Sequence, residues 1–177
     1  TLVLFTVYYL DSLNGYLAGY SGALLKTTDA GNTWSLSTID TNLTSHFPIR
    51  RLVFRSPQFG LACGGVIDIT AVVWQSTNFG FNWKASSVAA EPLYDIKYLD
   101  TQRALGCGGD FEYGLNIVRS YDGGKQWTYE NPALFGIGQR LAFRTNYEVW
   151  IPLGFSQRWA VSTDTAHTFV EVSAPDS

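Results

Sequence analysis

The chain has 177 residues, of which 46% are hydrophobic, and a net charge of −3. That is enough apolar material for a sizeable core, and the absence of a basic excess excludes the usual signature of a nucleic-acid or anionic-membrane partner. No apolar run reaches the length of a membrane-spanning helix, while 15% aromatic residues, 17 glycines and no methionine favour pleated strands and tight turns over helix.

The opening run Leu2 to Leu10 reads as a strand, because it lacks the basic start and small-residue cleavage site of a signal peptide. The chain starts without Met and is expected to be a processed or excised piece of something longer. A Gly-bounded apolar run follows at Tyr16-Leu17-Ala18-Gly19. A strand over Leu24 to Thr28 then enters a tight turn at Asp29-Ala30-Gly31 and leaves as Thr33-Trp34. The same order recurs three more times. The turn segments Lys26 to Trp34, Gln75 to Trp83, Arg119 to Trp127 and Val161 to Phe169 align without gaps, and their Asp/Asn column steps by 49, 44 and 42 residues. One column is always hydroxylated (Thr27, Ser76, Ser120, Ser162) and another always aromatic (Trp34, Trp83, Trp127, Phe169). Upstream, Tyr9, Phe54, Tyr98 and Phe143 form an aromatic column ahead of further short apolar runs. With no sustained helical stripe, the pattern predicts an all-β chain of four repeats, approximately 1–46, 47–92, 93–137 and 138–177. Each repeat holds about four antiparallel strands, the unit of a β-propeller blade, and the four are expected to be a single domain or a segment of a larger ring.

Within each turn segment, Asp or Asn can accept backbone N–H bonds, Gly can take positive φ, the hydroxyl can tie the incoming strand to the turn, and the aromatic ring can cover the hairpin. Cys63 and Cys107 occupy equivalent positions of successive repeats and read as two buried free thiols.

On these residues the chain resembles the Asp-box (BNR) repeat superfamily, whose pattern is Ser/Thr-x-Asp-x-Gly-x-x-Trp. The boxes at Asp29 and Asp122 match fully; the second carries Asn78 for Asp, and the fourth carries Ala166 for Gly and Phe169 for Trp. The blade from Gly15 to Gly22, leading into Leu24 to Asp29, is most similar to the photosystem II stability/assembly factor propellers. Sialidases, xyloglucanase-like glycosidases and sortilin receptors share the repeat. The resemblance implies that the box is a structural lock on the rim, away from the binding face. Asp29, Trp34, Asn78, Trp83, Asp122, Trp127, Asp164 and Phe169 are then architectural, with no catalytic, metal or cofactor role.

Binding chemistry is expected in the loops that follow each Gly-bounded strand and in the connections between blades. Those loops offer Tyr20, Asp68, Asp110, Phe111, Glu112, Tyr113, Phe155 and Arg158; the connections offer His46, Phe47, Arg50, Glu91 and Phe135. Asp68 with Asp110 or Glu112 could flank a glycosidic bond, but surface loops carry acids and aromatics in any case, and no arginine cluster or triad is visible. Arg55 and Arg144 share one repeat position and read as framework. His46 and His167 lack metal or triad spacing, Gly108-Gly109 lacks the Lys and Ser/Thr of a phosphate loop, and Asn42-Leu43-Thr44 is a formal glycosylation sequon. The expectation is a non-catalytic propeller without cofactor that binds a protein partner and assists assembly of an extracytoplasmic complex. The alternative is a carbohydrate-active protein of the sialidase or xyloglucanase type.

Overall fold

Alternating apolar residues and glycine-bounded turns condense into a series of antiparallel sheets. The computed structural model describes residues 2–39 and 46–173, so the sequon at Asn42 lies outside the described residues. The first sheet is β1 (Leu4–Tyr9), β2 (Gly15–Gly19), β3 (Leu24–Thr27) and β4 (Ser35–Leu36), hydrogen-bonded in that order. After a short β5 (Thr38–Ile39), the second repeat forms β6 (Ile49–Phe54), β7 (Gly60–Val66), β8 (Thr70–Ser76) and β9 (Asn82–Ala89). The third is β10 (Leu93–Tyr98), β11 (Ala104–Asp110), β12 (Gly114–Ser120) and β13 (Thr128–Glu130). In the fourth, the inner strand is broken into β14 (Ile137–Gly138) and β15 (Ala142–Phe143), both pairing β16 (Val149–Gly154), followed by β17 (Arg158–Ser162) and β18 (Val170–Ser173). The chain is all-β and its sheets are propeller blades.

One departure from four strands per repeat is physical. β5 leaves its own repeat and pairs parallel with β9, Thr38 opposite Asn82 and Ile39 opposite Trp83, giving the second sheet a fifth strand. The exposed edge of β9 is thereby covered by the preceding repeat.

Among the described residues, buried apolar side chains form three clusters, each between consecutive blades. Tyr16, Phe54, Trp74 and Trp83 anchor the first, with Tyr16 stacked on Phe54 at 4.5 Å and Trp83 edge-on to Phe54 at 5.8 Å. Cys63, Val73, Ile96 and Val118 fill the second; Cys107, Ile117, Val149 and Ile151 fill the third. Both thiols are free and buried, and burial pushes each well above the usual thiol range. The blades therefore share cores pairwise, since neither face of a lone four-stranded sheet can be buried by the sheet itself.

A second inter-blade device repeats with the register. The residue before each box hydroxyl donates to a carbonyl in the next blade's box turn: Lys26 Nζ to Phe79 O at 2.7 Å, Gln75 Nε2 to Gly123 O at 3.0 Å, Arg119 Nε to Ala166 O at 2.9 Å. The fourth repeat has Val161 in this column, which has no side-chain donor. Close approach at the other end explains the glycine-bounded strands. A Cβ on Gly19, Gly64 or Gly108 would stand 2.0, 1.8 or 1.9 Å from the carbonyl oxygen of Val3, Pro48 or Pro92, so only hydrogen fits.

Candidate functional site

Antiparallel topology sorts the loops by end. The β2–β3 hairpin of each blade and the connection to the next blade fall at one end, and the β1–β2 and β3–β4 turns fall at the other. The boxes occupy this second end, where the backbone N–H after each Asp/Asn donates to the β1–β2 turn of its own blade: Ala30 to Leu13, Phe79 to Gln58, Gly123 to Gln102, Thr165 to Tyr147.

The box side chains spend their hydrogen-bonding capacity locally. The hydroxyl accepts the amide of Gly31, Gly80, Gly124 or Ala166 at 2.8–2.9 Å and donates to Asp29, Asn78, Asp122 or Asp164 at 2.7–3.1 Å. Each Asp/Asn oxygen in turn accepts the amide four residues on. Trp34, Trp83 and Trp127 close their turns through Nε1 to the Gly carbonyl at 3.0–3.1 Å, a bond Phe169 cannot make. The Thr33 hydroxyl and amide hold Asp29 down to about 2, and the Thr168 hydroxyl holds Asp164 lower still. Ala166 keeps φ at +65° where the other boxes have Gly, so the fourth turn holds a side chain in a left-handed conformation.

At the opposite end the structure gathers some of the candidate residues and scatters others. Asp68, Glu91 and Asp110, from two neighbouring blades and the segment between them, bring carboxylate oxygens within 4.8 Å of one another. These are the residues whose donors could together face a cation. Asp110 is buried and its Oδ1 already accepts the amides of Glu112 and Tyr113, at 3.1 and 2.6 Å, while Glu91 accepts the Asp68 amide at 3.1 Å. Burial first, then the neighbouring Asp110, Asp68 and Glu112 charges, raise the Glu91 carboxyl above its usual range. Glu112, Tyr113 and Phe135 line a pocket of about 360 Å³ with Asn131, Ala133 and Leu134. Tyr20, Phe111 and Phe155 are exposed in their separate turns, and Phe47 packs half-buried against the first core. Arg50 stacks over Tyr94 at 4.7 Å, and Arg158 is paired across strands with Glu171. His46 and His167 are exposed.

The inner strands hold what the loop-centred reading missed. β1, β6 and β10 line a groove of about 380 Å³ with Arg51, Arg55, Lys97 and Tyr98. Asp95 is the acid among the lining residues, and it is fully buried and fully engaged. It accepts Arg51 Nε at 3.1 Å, its own strand's Ile96 amide at 3.0 Å and the Leu141 amide at 2.9 Å, tying three blades together. Leu141 lies between β14 and β15, outside the ladder with β16. With Arg51 paired to Asp95, Arg55 and Lys97 leave the groove positive in a chain whose net charge is −3. The signal lay in the strand period: Arg51 and Arg55 alternate with buried Leu52 and Phe54, which places both on the face turned away from the first core.

No family model matches the chain, and no curated relative does either. Solved structures do match. A structure described as YCF48 bound to D1 peptide aligns with 100% of this chain and 55% of its own at 19% identity, TM-score 0.69. YCF48 from Cyanidioschyzon merolae aligns with 99% of this chain and 58% of its own at 17% identity, TM-score 0.72. The GH74 xyloglucanase from Xanthomonas campestris aligns with 99% of this chain and 31% of its own at 14% identity, TM-score 0.71. The likeness is one of fold. The chain spans little more than half the length of the YCF48 structures. Among the described residues no helix is long and apolar enough to cross a membrane.

Proposed function

We propose that the chain is a non-catalytic propeller module that binds a polypeptide partner and serves the assembly or stabilisation of an extracytoplasmic complex. The observation that carries this reading is the positive groove along the inner strands, where Arg55 and Lys97 meet apolar walls beside the Arg51–Asp95 pair. Such a groove suits an extended segment bearing carboxylates, a side chain or a free C-terminus, held by charge-assisted hydrogen bonds. The structural likeness to a YCF48 bound to a peptide agrees with it. Tyr20, Phe111, Tyr113, Phe135 and Phe155 at the loop end add exposed rings of the kind that anchor protein interfaces. Repeats 1–46, 47–92, 93–137 and 138–177 act as consecutive blades of one ring completed by further blades, since Phe5 and Val7 of the first blade and Val170 and Val172 of the last leave apolar surface exposed.

The test is fluorescence polarisation with a labelled acidic peptide ending in a free carboxylate, compared with its amidated, uncharged counterpart. The acidic peptide should bind, more weakly as salt is raised, and Lys97→Glu should weaken it about tenfold or more, the loss of one ion pair plus a new repulsion. Equal binding of the two peptides, or indifference to Lys97→Glu, would overturn the groove reading. The carbohydrate-active alternative keeps one observation of its own, the approach of Asp68 to Asp110 at the loop end. Turnover of a xyloglucan oligosaccharide that disappears in Asp68→Asn would establish it instead.

A further inference from the structure

The pocket beside Tyr113 and Phe135 differs from the groove in both charge and construction. Its walls are held by one backbone bond and the Asn131 side chain, which join two segments far apart in a blade. Leu115 N donates to Leu134 O at 2.9 Å, Asn131 Nδ2 to Tyr113 O at 3.0 Å, and Ala133 N to Asn131 Oδ1 at 2.7 Å. Gly114 permits the contact, because a Cβ there would lie 2.3 Å from Leu134 O. Ala133 adopts φ of +58° to complete the turn. A pocket of about 360 Å³ is thus pre-formed, with Tyr113 and Phe135 each more than half exposed on its walls and Glu112 beside them.

Its electrostatics are one-sided. Glu112 lines it, and the convergent Asp68, Glu91 and Asp110 stand close enough that all four carboxylates raise the Tyr113 phenol, Glu112 first, with no cation opposing them. Among the described residues the five ion pairs of the chain involve none of these four acids. Two exposed aromatic side chains beside an unpaired carboxylate make a receptor for an organic cation, since aromatic rings and carboxylates attract the same ligand while apolar walls cover its methylene stem.

We propose that this pocket receives a basic side chain, lysine or arginine, of a polypeptide partner, its head at Glu112 and its stem against Tyr113 and Phe135. The assignment rests on the partner being a polypeptide but not on the groove: a small probe addresses the pocket alone, so either site can fail without the other. The probe is Nα-acetyl-lysine methylamide, with the arginine analogue in parallel, titrated into the ¹⁵N-labelled chain at low ionic strength. Amides of Tyr113, Ala133 and Phe135 should shift and saturate, and the Nε-acetylated lysine probe should leave them in place. Glu112→Gln, an exposed substitution with no folding role, should weaken the probe about fivefold, in line with the loss of one exposed ion pair. Phe135→Leu, which keeps the apolar wall but removes the ring, should weaken it as well. Shifts produced equally by the Nε-acetylated probe, unchanged affinity in both variants, or no shifts at these amides would each overturn the proposal. Saturable shifts at Asp68, Glu91 and Asp110 with calcium chloride that abolish probe binding would also overturn it, because the acids would then serve a metal.

Discussion

Ser120→Ala tests the physics of the box most directly. The Ser120 hydroxyl is buried; it accepts the Gly124 amide at 2.8 Å and donates to Asp122 at 2.9 Å. Removing it strands the buried Gly124 N–H, which costs about 1–3 kcal/mol. The lost bond to Asp122 adds little, because water reaches that carboxylate. A net destabilisation of ~2 kcal/mol is expected, and in a domain of this size that lowers the melting temperature by about 4–8 °C. The repeat supplies the control: Thr27 fills the same position with the same bonds in the first blade, so Ser120→Thr should melt close to the parent. Both variants would be compared by urea and thermal unfolding followed through tryptophan fluorescence, with Trp127 as the local reporter. An unchanged melting temperature in Ser120→Ala, or the same loss in Ser120→Thr, would refute the argument that the hydroxyl works by satisfying a buried donor.

Asp122→Ala should cost less, about 1 kcal/mol, because the Lys125 and Gln126 amides it releases are exposed, and it should leave acidic-peptide binding at the groove intact; melts and polarisation on one sample check both. Gly108→Ala should be far more damaging than an ordinary strand Gly→Ala change, since its Cβ would meet Pro92 O at 1.9 Å and Leu93 Cα at 2.7 Å, both backbone atoms, with the Asn116 side chain at 2.9 Å; the urea midpoint measures it. Asp29 has a folded-state pKa depressed to about 2 by Thr33, so its stabilisation is present above the unfolded value of 3.8 and is lost as pH falls toward 2. Asp29→Asn should therefore flatten the acid side of the melting-temperature profile, and an identical profile would count against the assignment. Glu91 is shifted the other way, mainly by burial, so ionisation opposes folding as pH rises through its folded-state pKa. Glu91→Gln should raise the urea midpoint at pH 7 and leave it unchanged below pH 4.

Much of the architecture was legible in the residues alone because its causes are local. Box bonds join atoms no more than four residues apart, so Thr27, Asp29, Gly31 and Trp34 could be read as one turn, and three recurrences made the blade period plain. Alternation separated buried Leu52 and Phe54 from Arg51 and Arg55, although their meaning as a groove needed β1 and β10 beside them. What only the tertiary structure decided are the encounters between blades. The bond from Gln75 to Gly123, the strand β5 donated to the neighbouring sheet, and the convergence of Asp68, Glu91 and Asp110 depend on how one twisted sheet packs on the next. Strand periodicity sets which face a side chain takes, but the blade-to-blade angle and offset arise from the shape of the shared cores, where Tyr16, Phe54 and Trp83 interlock.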